Sequence, residues 1–316
     1  MADAYDLILK GATVVNQDGT GVRDIAVSNG RVAAISTAAE PVTGSAPDVI
    51  DCNGLHVLPG VIDSQVHFRE PGLTHKEDLE TGSRAAVAGG VTVVFEMPNT
   101  NPLTTTPEAL ADKVAAARGR MFCEFAFYVG ATRENIEDIP ALERLEASAG
   151  MKVFMGSSTG NLLVDDEGSL DRIIARLSRR AAFHSEDEER LIAREGVRRP
   201  GDPTSHPEWR DMEAAMISTR RLVALAEKHR RRVHVLHIST GDEMAFLKDH
   251  REWASVEVTP NHLTLTAPEC YERLGTFAQM NPPVRDAAHQ ARIWQGVRDG
   301  TDDVLCSDHA PHTREE

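Results

Sequence analysis

The stretch Asp63-Ser64-Gln65-Val66-His67-Phe68-Arg69-Glu70-Pro71-Gly72 decides the fold, because it follows an apolar run and carries polar side chains at alternate positions. The apolar run before it is typical of a buried strand. Side chains two residues apart on a strand point to the same side, so Asp63, Gln65 and His67 share one face. Arg69 follows just beyond the strand end. The stretch therefore predicts a polar site where a buried strand ends.

Composition limits the function classes that this chain can belong to. Its 316 residues are 41% hydrophobic, which suits a globular core, and its formal net charge is −15. Such an acidic protein is expected to bind neither nucleic acid nor an anionic membrane surface. The acidic N-terminus has no signal-peptide pattern, and no cysteine pair has metal-finger spacing, so we expect a cytoplasmic protein with reduced thiols. The cysteines are Cys52, Cys123, Cys270 and Cys306.

The pattern of elements changes near residue 56. Residues 1–56 contain short alternating strands, the first two at residues 6–10 and 12–15, and Asn29-Gly30 between two later ones is a strong hairpin signal. We interpret this segment as a partial β-sandwich domain. From residue 57 to 316 strands alternate with helices, which predicts an α/β fold, a (β/α)8 TIM barrel. The predicted barrel strands are 57–67, 91–97, 122–129, 150–155, 181–185, 232–238, 254–259 and 303–308.

The chain ends just after the eighth predicted strand. We therefore expect the barrel to be truncated after that strand, and the sandwich to lack its C-terminal complement.

Several residues able to bind metal fall at the predicted C-terminal strand ends, where barrels of this kind build their active sites. Imidazole and carboxylate groups together favour zinc. The sequence left Asn261-His262 open between a structural and a functional role. The residues that predict the site are Gln65, His67, Lys152, His184, His237 and Asp308.

Motifs along nearly the whole chain resemble those of the cyclic amidohydrolases, and of their dihydroorotase branch in particular. The first strand resembles the family's metal-binding Asp-x-His-x-His, with Gln65 in place of the first histidine. The run after it, from His67 to Gly72, resembles the dihydroorotase form. The other matching segments are residues 96–100, 152–155, 235–239, 280–285 and 307–312.

The resemblance implies roles for individual residues. Asp308 would be the catalytic acid and base. Lys152 would be N-carboxylated and bridge two metals, and Gln65 would be a weak or absent ligand. We therefore expect one tightly bound Zn²⁺ and allow for a second. The implied metal residues are His67, Lys152, His184, His237 and Asp308. The implied substrate residues are Arg69, Asn99, Asn281 and His312.

The resemblance implies zinc-dependent hydrolysis of an anionic cyclic amide, namely reversible conversion of dihydroorotate to N-carbamoyl-aspartate in pyrimidine biosynthesis, by a homo-oligomer. Hydantoinase and allantoinase activities are alternatives, because such enzymes share the metal residues. A third alternative follows from Gln65. It is a catalytically silent homologue that serves as a structural subunit with aspartate transcarbamoylase.

Overall fold

The computed structural model describes residues 3–37, 39–157 and 162–316. Two compact units are distinguished, Met1–Val61 and Ile62–Glu316. Among the described residues, no helix has both the length and the hydropathy that crossing a bilayer requires.

The small unit is built from strands, as predicted, although two of them are ten residues long. The strands are β1 (Asp3–Ala4), β2 (Leu7–Asn16), β3 (Gly19–Ser28), β4 (Arg31–Ile35), β5 (Gly44–Ser45), β6 (Asp48–Asp51) and β7 (His56–Val57). The main sheet has the order β4-β3-β2-β6, β7 also pairs with β2, and β1 pairs with β5. Asn29 and Gly30 have φ angles of 52° and 69°, the positive values that a tight hairpin turn between twisted strands requires. The predicted hairpin is therefore confirmed.

Two strands expected at residues 6–10 and 12–15 form the single strand β2. Gly11 lies between them with a φ angle of 69°, and the pairing register with β3 shifts between Leu9 and Ala12. Glycine adopts this backbone conformation without steric cost, so the chain bulges there and continues as a strand.

The large unit is an eight-stranded parallel barrel, which confirms the predicted fold. Its strands are β8 (Val61–Val66), β9 (Val91–Glu96), β10 (Glu124–Gly130), β11 (Ser148–Phe154), β12 (Ala181–His184), β13 (Val233–Val235), β14 (Ala254–Val258) and β15 (Val304–Leu305). They neighbour one another in chain order. A parallel bridge between Val66 and His309 closes the ring, and the His67 amide donates to the His309 carbonyl at 2.7 Å.

The first barrel strand begins later than the sequence pattern indicated. We expected it over residues 57–67, but Val57 belongs to β7 of the small sheet. Pro59 has no amide hydrogen to donate to a ladder and Gly60 weakens a strand, so the apolar run is interrupted between β7 and β8.

Helices connect the barrel strands, as the alternation of strands and helices in the sequence predicted. They are α1 (Leu79–Ala88), α2 (Pro107–Ala117), α3 (Ile139–Leu142), α4 (Glu167–Arg176), α5 (Glu188–Ala193), α6 (His206–Trp209), α7 (Met212–His229), α8 (Gly241–Lys248), α9 (Pro260–Thr264), α10 (Glu269–Leu274) and α11 (Ala287–Arg298). Short 3₁₀ turns cover Ile136–Asp138, Glu195–Val197, Pro203–Ser205 and Gly275–Ala278. Side-chain caps fix many helix starts. The Asp78 side chain accepts from the Thr81 amide, for example, and the Asp78 amide donates to the Thr81 hydroxyl in return.

Apolar side chains from strands and helices fill the barrel's core. Leu79, Phe127, Ile173 and Val235 are each fully shielded from solvent. This packing makes the strands a rigid scaffold that positions the loops at their C-terminal ends.

Candidate active site

The barrel gathers the predicted metal residues at the C-terminal ends of its strands. Lys152 lies within β11, His184 ends β12, and His237 follows β13 by two residues. Gln65 lies near the end of β8, with His67 just after it. Asp308 follows β15. All except Asp308 are buried, so the site is largely shielded from water.

His184 and His237 form the first pair of the site. His184 Nδ1 lies 3.1 Å from His237 Nε2, and His184 Nε2 lies 2.8 Å from Glu186 Oε2. A carboxylate only accepts hydrogen bonds, so His184 Nε2 carries its proton and Nδ1 presents a lone pair. His237 Nδ1 is buried without a hydrogen-bond partner in the described part of the chain. Two ring nitrogens thus converge on one point, as a shared metal ion would require.

Burial keeps both imidazoles neutral. It lowers the pKa of His184 and holds the pKa of His237 well below its usual value. Neutral imidazole is the form that binds metals, so the electrostatics agree with the geometry.

Lys152 is buried beside an aromatic ring and has no ion-pair partner among the described residues. Its side chain is 1% exposed, and Nζ lies 4.6 Å from the centre of the Phe154 ring. Burial lowers the pKa of Lys152 to about 8, although the negative charges of Asp308 and Glu257 oppose this shift. Burial is the main cause of the lowered pKa values of the three site histidines, and the Lys152 charge adds to it.

His67 and Asp308 form the second pair. His67 Nδ1 lies 2.8 Å from Asn99 Oδ1, and His67 Nε2 lies 3.3 Å from Asp308 Oδ1. Burial lowers the pKa of His67. A neutral His67 that donates from Nδ1 therefore turns its Nε2 lone pair toward a carboxylate oxygen. Two electron-rich groups face each other there, an arrangement that a cation would stabilise.

The Gln65 side chain is oriented so that its amide nitrogen donates a hydrogen bond to Asp308. Gln65 Nε2 donates to Asp308 Oδ1 at 3.0 Å, and the Cys306 thiol donates to Gln65 Oε1 over 3.7 Å. Of the two ends of the Gln65 amide, only the NH2 group can donate to the Asp308 carboxylate, and the Cys306 thiol donates to the Gln65 oxygen. These two neighbours therefore fix which way the Gln65 amide is turned. The oxygen that could bind a metal is thus directed at Cys306.

Three residues of the site have left-handed backbone conformations. The φ angles are 66° at Arg69, 39° at His237 and 50° at Asp308. Such values are uncommon outside glycine and concentrate at functional sites. At His237, the amide donates to Glu257 Oε1 over 3.3 Å, which ties the strained residue to the barrel interior.

A cavity of about 560 Å³ opens above these residues. Five residues predicted for the site line it, namely His67, Arg69, Asn281, Asp308 and His312. Nine others line it that the sequence did not assign to the site, namely His206, Asn261, Phe277, Gln279, Met280, Ser307, His309, Ala310 and Pro311. Lys152, His184 and His237 do not line this cavity, and Asn99 contacts His67 instead of lining it.

Arg69 places a buried cation in the cavity wall. Its Nε donates to the Pro311 carbonyl at 3.0 Å, and its Nη2 lies 3.2 Å from His312 Nε2. Burial lowers the pKa of Arg69, and the charge of Asp308 opposes that shift. A guanidinium has five N–H donors, so Arg69 retains donors for a ligand after these two contacts.

No group of three or more His, Cys, Asp or Glu side chains among the described residues is arranged to hold a metal. The residues present nevertheless fit a metal, because His184 Nδ1 and His237 Nε2 converge, His67 Nε2 lies 3.3 Å from Asp308 Oδ1, and Lys152 is buried.

Comparisons with known proteins agree with this geometry. The Amidohydrolase family model matches residues 56–279. A dihydroorotase of Methanosarcina acetivorans is 33% identical over an alignment of 324 positions, which covers 98% of this chain and 68% of that protein. An allantoinase of Streptomyces avermitilis is 34% identical over 98% of this chain and 70% of its own length.

Among solved structures, the L-hydantoinase of Arthrobacter aurescens matches with a TM-score of 0.92 at 29% identity, over 98% of this chain and 70% of that one. The family is generally metal-dependent. Dihydroorotases, allantoinases and hydantoinases thus match at similar identity. The chain therefore belongs to the amidohydrolase family, as a hydrolytic enzyme of the cyclic amidohydrolase kind.

Proposed function

We propose that this chain hydrolyses dihydroorotate to N-carbamoyl-aspartate in a zinc-dependent, reversible reaction. The observation that carries the choice of substrate is Arg69, a buried cation in the cavity wall beside His312. The protein has a net charge of −15, so an anionic substrate needs such a local cation. A guanidinium binds a carboxylate through paired N–H donors, and dihydroorotate carries one carboxylate.

His184 Nδ1, His237 Nε2 and a carboxylated Lys152 would hold the tightly bound zinc. His67, Asp308 and the same carboxylate would hold a second. When bound, zinc supplies the Lewis acidity that activates water and polarises the amide carbonyl. Lys152 supports carboxylation because its apolar surroundings favour a neutral amine, which is the form that reacts with carbon dioxide.

The protein's own side chains would carry out the remaining work. Asp308 accepts the proton of the attacking water and returns it to the leaving amide nitrogen. Arg69 holds the substrate carboxylate, assisted by His312 and Asn281 on the cavity wall. Asn99 keeps the His67 ring in place through its contact with Nδ1.

Arg69→Lys is expected to lower kcat/KM for dihydroorotate at least about tenfold, or about 1.4 kcal/mol of transition-state binding. Lysine keeps the charge but loses the planar fork. The measurement compares kcat/KM on dihydroorotate with kcat/KM on uncharged hydantoin and allantoin. An equal loss on all three substrates would show that Arg69 is structural. A greater activity of the unaltered protein on allantoin or hydantoin would favour those alternatives.

Gln65 motivates the alternative of a silent structural subunit and also predicts the metal content. We expect about one tightly held zinc per chain, because the site of His67 and Asp308 lacks an imidazole that Gln65 does not replace. Gln65→His is expected to raise the content toward two, measured by elemental analysis after dialysis.

Cys306→Ser serves as the matched control, since it changes the partner of the Gln65 amide without adding a ligand. Two tightly held zinc ions in the unaltered protein would contradict this expectation. A zinc-free protein under zinc-replete conditions would favour the silent subunit.

A further inference from the structure

Glu186 is a fully buried carboxylate two residues beyond His184. Its Oε2 lies 2.8 Å from His184 Nε2, and the side chain is 0% exposed. Arg210 faces the same carboxylate, with Nη2 at 2.5 Å from Oε2 and Nε at 3.1 Å from Oε1. The guanidinium compensates the buried negative charge, so Glu186 remains an ionised acceptor toward the imidazole.

Arg210 is itself held by groups from distant parts of the chain. Its Nη2 donates to the Ser157 carbonyl at 2.6 Å, and its own carbonyl accepts from Arg285 Nη1 at 2.5 Å. The Trp209 ring lies 5.2 Å from its guanidinium carbon. Arg210 is 2% exposed, so this arrangement is rigid and dry. The orientation of Glu186 is therefore fixed by more than its own loop.

The tautomer of His184 decides whether its Nδ1 carries a proton or a lone pair that a metal can use. If Nδ1 carried the proton, it would donate to His237 Nε2 across their 3.1 Å separation and close the pair on itself. With the proton on Nε2, that nitrogen donates to Glu186 and the Nδ1 lone pair stays available. A buried carboxylate left facing a lone pair is unfavourable, so Glu186 opposes the closed form.

We propose that Glu186, held by Arg210, is a positioning residue that keeps His184 in the Nε2–H tautomer and so keeps the site open for its metal. If Glu186 only formed a structural ion pair with Arg210, its Oε2 would not need to lie within hydrogen-bond distance of the His184 imidazole. The proposal rests on the proposed function only in that the ion bound there is taken to be zinc.

The first test needs no variant. In metal-free protein labelled with ¹⁵N-histidine, the ring nitrogen shifts of His184 report its tautomer, with the signals assigned by comparison with His184→Gln. We expect a protonated Nε2 and an unprotonated Nδ1. A protonated Nδ1 in the folded, metal-free protein would overturn the proposal.

The second test measures zinc affinity by competition with a chromophoric chelator, in bicarbonate buffer. Glu186→Gln is expected to weaken the tight zinc about 10–100-fold, the usual effect of losing an outer partner of a ligand. Both His184 and Arg210 donate hydrogen bonds to the Glu186 carboxylate. The glutamine side chain has one oxygen and one NH2 group, so its NH2 group would face one of these two donors. An affinity within about twofold of the unaltered protein, in a variant that melts cooperatively, would overturn the proposal.

Glu243→Gln is the matched control, because Glu243 is a buried carboxylate that accepts from Thr219 and Thr240 and does not touch His184. Its zinc affinity is expected to stay unchanged. An equal loss in both variants would show a general effect of removing buried charge and would overturn the specific role of Glu186. Neither readout uses substrate, so failure to hydrolyse dihydroorotate would reject the proposed function and leave this proposal standing.

Discussion

Asp308→Asn is expected to lower kcat by at least about 100-fold, the usual cost of losing a general acid and base. The amide keeps the size of the side chain but cannot accept a proton from water at neutral pH. Its remaining oxygen can still accept from Gln65 Nε2, which donates to Asp308 Oδ1 at 3.0 Å in the unaltered protein. KM should change far less than kcat, because Arg69 is the residue proposed to hold the substrate.

Steady-state kinetics at saturating zinc would measure this effect, with metal content determined on the same sample. Asp303→Asn is the control, because Asp303 lies near the same strand but pairs with Arg251 away from the cavity. A near-normal kcat in the Asp308 variant would remove this residue from the mechanism.

Lys152→Met is expected to abolish activation of metal-free protein by zinc and bicarbonate. Methionine fills a similar volume in apolar surroundings but has no nitrogen to carboxylate. The loss of zinc affinity should exceed the roughly 10–100-fold typical of an outer partner, because this group would touch the metal itself.

In the unaltered protein, the rate at which zinc and carbon dioxide activate the metal-free form should rise with pH, at a fixed concentration of dissolved carbon dioxide. Burial lowers the pKa of Lys152 to about 8, so the protonated amine loses its proton as pH rises toward that value. The reactive neutral fraction grows about tenfold between pH 6 and 7 and levels off above about pH 8. A pH-independent rate, or activation that survives in Lys152→Met, would contradict carboxylation of Lys152.

The barrel could be predicted from the sequence because its strands and helices have strong, regular patterns. Between the strands predicted at 254–259 and 303–308, for example, the helix Ala287–Arg298 forms with Asp286 as its cap. Errors arose where local backbone chemistry competes with hydrophobic pattern. Gly11 allowed two expected strands to continue as one, and Pro59-Gly60 interrupted an apolar run that looked continuous.

The candidate site was predictable where residues end strands, and less so where loops fold over it. The parallel strands bring His184 and His237 together as expected, because neighbouring strand ends meet at the same edge. Phe277 and Gln279 lie in a turn whose path over the cavity has no periodic signal. Asn261, left open by the sequence, lines the cavity, whereas His262 is buried against Thr259 and Pro282.

Glu186 could have been noticed from its position, since His184 and Glu186 are two residues apart. Periodicity alone, however, does not tell which polar residue after a strand turns back toward it. The decisive contact with Arg210 joins residues 24 positions apart through a loop, which only the tertiary structure reveals.

Turnover by the unaltered protein tests the central claim most directly. Zinc-loaded protein in bicarbonate buffer would be assayed on dihydroorotate, allantoin and hydantoin, with N-carbamoyl-aspartate quantified, before and after chelation. We expect dihydroorotate to give a kcat/KM at least about tenfold above the other two, lost on chelation and restored by zinc. Absence of N-carbamoyl-aspartate from a zinc-loaded, folded protein would contradict the account.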